Sequence, residues 1–148
     1  MGEDWNLTSD SKHRAVWAWL MGCPHIRDLF FNCAQSDGGD AALVPSESVL
    51  QTFIDGSSLR SYDVELTRVA PCSFEPNDAQ NIDYLADFEQ LKAWIEAQRA
   101  AGCYPEFPEG EVVQEIELLP CEGGFVAAQD ARSCKYMLQF RIEYLKKG

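Results

Sequence analysis

The sequence contains no apolar run near the ~18–20 residues that a membrane-spanning helix needs, and it is poor in positive charge. Twelve lysines and arginines stand against 24 aspartates and glutamates, a formal net charge of −12. Phosphate-binding surfaces draw affinity from cations that displace counterions. The balance therefore argues against nucleic acid as a direct ligand, and the only basic cluster is Lys146-Lys147. Histidine is scarce too, with only His13 and His25. No G-x-S-x-G elbow, Gly-rich phosphate loop or H-E-x-x-H helix is present. The six cysteines, Cys23, Cys33, Cys72, Cys103, Cys121 and Cys134, form no C-x-x-C pair. Cys23 and His25 make a C-x-H triplet, but no second pair has zinc-ligand spacing. Residues 1–6 are acidic and polar, with no apolar signal core after them. The expectation is reduced thiols, no metal and no cofactor.

What is present suits a globular chain. With 148 residues, 46 % of them hydrophobic, the sequence can bury a real core. It reads as one domain over residues 1–148. Ser9, Asp10 and Ser11 are N-cap candidates for a short helix. Its apolar positions are His13, Val16, Trp17 and Leu20, and Gly22 and Pro24 end it. Leu29 to Cys33 reads as a brief strand. Gly38-Gly39 is a turn, and Ala41 to Val44 is expected to pair back before Pro45. Val49–Ile54 and Leu59–Val69 read as strands joined by Asp55-Gly56-Ser57-Ser58, a strong hairpin signal. Tyr62, Val64 and Leu66 share one face of the second strand, opposite Asp63, Glu65 and Thr67, and Pro71 ends it.

A main helix follows, with the stripe Leu85, Phe88, Leu91 and Ile95, flanked by Tyr84 and Trp94. Asp83 lies early and Arg99 late, as the helix dipole favours, and Gly102 supplies the left-handed stop. Two more strands close the chain. In the first, Val112, Gln114, Ile116 and Leu118 share a face. In the second, Tyr136, Leu138, Phe140, Ile142 and Tyr144 alternate with Lys135, Gln139, Arg141 and Glu143. The expected fold is α+β: a mostly antiparallel sheet, one main helix packed on a face and a short N-terminal helix.

The search for chemistry gives little. His13 sits on an apolar helix face and reads as packed. His25 could meet a cysteine in space, which would suit a small thiol-dependent enzyme. Asp83, Asp87 and Glu89 read as a solvated helix face. Asp37 and Asp40 around Gly38-Gly39 resemble a loose cation loop but lack the spaced ligands and bidentate Glu of an EF-hand. Trp17 and Trp94 fit the core. Trp5 precedes the first helix and Trp19 lies off its main apolar stripe; both are candidate partner contacts, as is the polar hairpin tip Asp55, Gly56, Ser57 and Ser58.

Four segments carry a family resemblance: Phe53-Ile54-Asp55-Gly56-Ser57-Ser58-Leu59-Arg60-Ser61-Tyr62; Asp78-Ala79-Gln80-Asn81; the helix from Asp87 to Glu96; and the last strand from Tyr136 to Tyr144. The stretch they span, from the hairpin onward, is about two thirds of the chain. In sequence and order they resemble the small minor capsid and tail-completion (tail-terminator-like) proteins of phages and prophages of Gram-positive hosts. The number of cysteines and the tryptophan-bearing first helix have no match in the resemblance. It implies a non-enzymatic α/β subunit, acting as a homo-oligomeric ring between tail-tube and head-connector proteins. It also implies residence in the bacterial cytoplasm during assembly and then in the virion, with neither nucleic-acid readout nor membrane contact. DNA must slide through such a ring, and an acidic lumen would not hold it. The competing readings are an acidic intracellular adaptor or inhibitor of a protein partner, and the thiol enzyme.

Overall fold

The structure is a computed structural model and describes residues 11–26, 28–31, 40–71, 77–120, 126–128 and 133–148. Two helices and six strands follow in the order α1 (Lys12–Met21), β1 (Leu29–Phe31), β2 (Asp40–Thr52), β3 (Ser58–Pro71), α2 (Gln80–Ala101), β4 (Glu111–Leu119), β5 (Val126–Ala128) and β6 (Ser133–Lys146). The strands form one sheet in the order β1-β2-β3-β6-β4, with β5 also on β6. All pairings are antiparallel except β1 with β2. The fold is α+β.

Two unbroken strands make the centre. β3 and β6 pair without a register shift from Ser58↔Lys146 to Pro71↔Ser133. Side chains alternate across a strand, so Tyr62, Val64 and Leu66 line up with Ile142, Phe140 and Leu138 on one face. All six are buried, as are Tyr136 and Tyr144. Both helices cover this face. From α2, Phe88, Leu91 and Ile95 are buried in the same cluster, and Phe88 meets the Tyr136 ring at 5.8 Å between centroids. From α1, Val16 and Leu20 are buried. Each such side chain contributes roughly 1.5–3 kcal/mol of burial.

The helix ends follow local chemistry. Ser11 caps α1 by accepting the Arg14 N–H at 3.1 Å. Gly102 ends α2 in a left-handed conformation, φ 71°. There its N–H donates to the Arg99 carbonyl and that of Cys103 to the Gln98 carbonyl, a Schellman-like stop that glycine adopts at least cost.

Four expectations change. First, Pro45 does not end a strand: β2 runs through it from Asp40 to Thr52, with a register shift between Leu43 and Ser46 absorbing it. A proline lacks an N–H to donate and is tolerated at such irregularities. Second, the face of β4 slips. A bulge between Val113 and Glu115 turns Val113, Ile116 and Leu118 toward Tyr144, Ile142 and Phe140, and leaves Val112 exposed. One inserted residue reverses the alternation beyond it. Third, Asp40 belongs to no cation loop. It is buried in β2 and bonds Arg68 directly opposite on β3, Nε to Oδ1 at 2.5 Å and Nη2 to Oδ2 at 2.8 Å. Asp37 lies outside the described residues. Fourth, the thiols are not all reduced. Cys23 and Cys103 are free, but Cys134 on β6 is disulfide-bonded. The reduced state was expected from the lack of an apolar signal core, which says nothing of which thiols the fold brings within bonding distance.

The opposite face of β3 and β6 is polar. Arg141 grips the Asp63 carboxylate with Nε at 2.8 Å and Nη2 at 3.2 Å, and Gln139 donates to Glu65 at 3.1 Å. Partly solvated pairs of this kind stabilise by only about 0–1 kcal/mol.

Burial of the tyrosines gives a spectroscopic expectation. Desolvation pushes the phenols of Tyr62, Tyr136 and Tyr144 above their ordinary value, with the Glu47 carboxylate adding to the shift at Tyr62. A group that keeps its proton longer in the folded state contributes its stability in full below about pH 10 and loses it as pH rises. Absorbance titration should show these three ionising together with unfolding, above the range of free tyrosine. Smooth titration of all five tyrosines near pH 10 in a folded chain would contradict this packing.

Candidate functional site

Among the described residues, most large exposed apolar side chains gather in two places, with Ile82 and Val112 exposed elsewhere. The first is the end of the β2–β3 hairpin. Its turn is tightly bonded: the Phe53 N–H donates to the Ser57 carbonyl at 2.8 Å, and the Gly56 N–H to the Phe53 carbonyl at 3.0 Å. Gly56 has φ 89°, a conformation that a side chain would strain. Asp55 Oδ1 accepts both the N–H and the hydroxyl of Ser57, and these bonds hold its carboxyl below the usual carboxylate range. Backbone bonds and the Asp55 carboxylate fix the turn, and the Ile54 side chain touches nothing in it. Ile54 is as exposed as in an extended peptide, at 108 %, and Val49, Leu50 and Phe53 are exposed beside it. A register shift between Val49 and Gln51 places Leu50 out of the pairing pattern.

The second feature lies between α1 and β1. Trp17, Met21 and Phe30 are exposed. Ser11, His13, Arg14, Trp17 and Phe31 line an open cleft of about 280 Å³. The Arg14 guanidinium lies 5.5 Å from the centre of the Trp17 ring, a cation–π arrangement.

The structure redistributes the sequence candidates. Asp55, Gly56 and Ser57 form the hairpin turn as expected, but Ser58 does not share its exposure. Ser58 is the buried first residue of β3, and its hydroxyl accepts the Arg60 Nε–H at 2.9 Å. The two helix tryptophans exchange roles. Trp19 packs inward, 4.8 Å from Trp94 and 5.8 Å from Phe140 between ring centroids, and donates Nε1–H to the Cys103 carbonyl at 2.9 Å. Trp17 is the exposed one, at 37 %. A stripe drawn from one helix cannot reveal that a second helix, α2, offers Trp94 on its flank. Trp5 lies outside the described residues. Phe53, Ile54, Val49 and Leu50 were passed over as strand residues. The adjacent Val49-Leu50 pair, which breaks apolar–polar alternation, was the signal that could have found them.

The residues considered for catalysis have structural partners. His13 Nδ1 and the buried Tyr62 hydroxyl share a hydrogen bond of 2.8 Å. The backbone carbonyl of His25 accepts from Arg68 Nη2 at 2.8 Å, which fixes the chain there but does not engage the imidazole. Burial pushes the Cys23 thiol up, against the lowering effect of the His25 and Ile26 backbone N–H groups. A thiol held protonated is a poor nucleophile. Among the described residues, no three His, Cys, Asp or Glu side chains group as a metal site would need, and no helix is long and apolar enough to cross a membrane. No protein-family model matches the chain, and no curated protein matches it.

Proposed function

We propose that this chain is a non-catalytic assembly subunit of a tailed-phage virion, of the tail-completion or head–tail joining kind, and that it works by protein contact. The observation that carries the reading is the apolar hairpin end. An apolar side chain held wholly in solvent on a hydrogen-bonded turn, as Ile54 is, with Phe53, Val49 and Leu50 partly exposed beside it, is what an interface anchor requires. The sequence resemblance of the hairpin, main helix and last strand to tail-completion proteins supplies the setting. The formal charge of −12 suits a part that lies along the DNA path without retaining DNA.

The test is a pair of hairpin-end substitutions, Phe53→Ser with Ile54→Asp, in the phage or prophage that encodes the chain. Ile54 is wholly exposed and Phe53 partly covered, so the pair should cost no more than about 1–2 kcal/mol of folding stability, and Ile54→Asp alone should cost almost none. Electron microscopy should then find heads and tails mostly unjoined. Normal yields of joined particles from a folded variant would refute the reading.

A further inference from the structure

We propose that the hairpin end of one copy seats in the α1–β1 cleft of a second copy, so that subunits associate head to tail. The inference rests on the assembly-subunit reading and specifies its self-contact. One surface offers a knob and the other a hollow: Ile54 stands wholly in solvent at the hairpin end, and among the described residues Ser11, His13, Arg14, Trp17 and Phe31 line a hollow of about 280 Å³, room for an isoleucine side chain. They are also complementary in charge. Asp55, next to Ile54, uses Oδ1 for both Ser57 bonds, which leaves Oδ2 for an incoming donor. Arg14 stands at the cleft over Trp17, and among the described residues no carboxylate pairs with it. Seating Ile54 against Trp17 brings these two charges together at the rim of an apolar contact.

A single copy cannot make this contact with itself. Lys12 at the start of α1 binds Glu47 of β2 at 3.1 Å, and the hairpin runs on to Ile54. At the ~3.3 Å rise of a strand residue, that carries its end about 20 Å past the helix. A knob and a hollow on different parts of one subunit make a heterologous interface, which builds a ring where the rotation closes.

Sedimentation velocity of purified protein over a concentration series, at near-physiological salt, decides the matter. The parent chain should self-associate. Ile54→Asp at the hairpin, or Trp17→Glu in the cleft, should each weaken association about thirtyfold, the effect of losing a central interface anchor, with circular dichroism unchanged. An equimolar mixture of the two variants should form dimers and nothing larger, because one intact hairpin end and one intact cleft remain. If Trp17→Glu fails to fold, Arg14→Asp replaces it and should weaken association in the same direction. A parent that stays monomeric throughout, variants that associate like the parent, or a mixture that stays monomeric would each overturn the proposal. Unjoined particles from the hairpin variant, together with undisturbed self-association, would keep the assembly reading and discard this contact.

Discussion

Phe88→Ala should cost about 3–5 kcal/mol of folding stability, the usual range for truncating a large buried aromatic. Phe88 sits mid-way along α2 with almost no solvent exposure. It is the point where the helix meets the sheet, through the Tyr136 ring. Its other face lies 5.7 Å from the Arg68 guanidinium. The cavity cannot collapse easily, because its floor is β3 and β6 in continuous pairing. Against a typical domain stability of ~5–15 kcal/mol, the loss should be plain in urea titration. A loss below about 1 kcal/mol would place Phe88 outside the core.

Arg68→Ala should be of similar size, about 3–5 kcal/mol, for a different reason. Arg68 and Asp40 are both almost wholly buried, and the guanidinium also donates to the His25 carbonyl. Removing the cation leaves a buried carboxylate without its guanidinium, the costly half of breaking such a pair. Replacing both, Arg68→Met with Asp40→Leu, should recover most of the loss, since apolar residues of similar volume often substitute for a buried pair without penalty. Denaturant titrations of the two single variants and the double variant form a thermodynamic cycle. Additive losses would show that the two residues are not coupled. The ion pair ties the chain around His25, just after α1, to the sheet, so Arg68→Ala should also loosen the α1 docking.

Legibility in the sequence followed the range of the interactions. The alternation from Tyr136 to Tyr144 and the stripe from Leu85 to Ile95 were readable because one period of two and one of 3.6 persist over several turns or pairs. The turn at Asp55-Gly56 was readable because left-handed backbone demands glycine. Bulges were not: an extra residue in β2 or β4 leaves no mark except two apolar neighbours in a row, as at Val49-Leu50 and Val112-Val113. The buried pair was hidden because Asp40 and Arg68 are 28 positions apart, and each alone looks like a surface charge. Trp17 and Trp19 were misassigned for the same reason, since which side of α1 is covered depends on α2. The hairpin end was half legible. Its polar turn was found, while the apolar residues that make it a contact surface were read as ordinary strand.

The unbroken β3–β6 pairing also governs the order in which the molecule can come together. β6 is the last element in the chain, yet it lies between β3 and both β4 and β5. Its pairs with β3 join residues as far apart as Ser58 and Lys146. Until β6 arrives, the β2–β3 hairpin is a two-stranded ribbon, a form only marginally stable by itself in water. Closing so long a loop is entropically slow. Helix α2 has no finished surface to dock on in the meantime. Core closure should therefore wait on β6 taking its place in the middle of the sheet. The turn at the hairpin end joins residues that are neighbours in sequence, so the surface it presents needs none of that long-range closure to form.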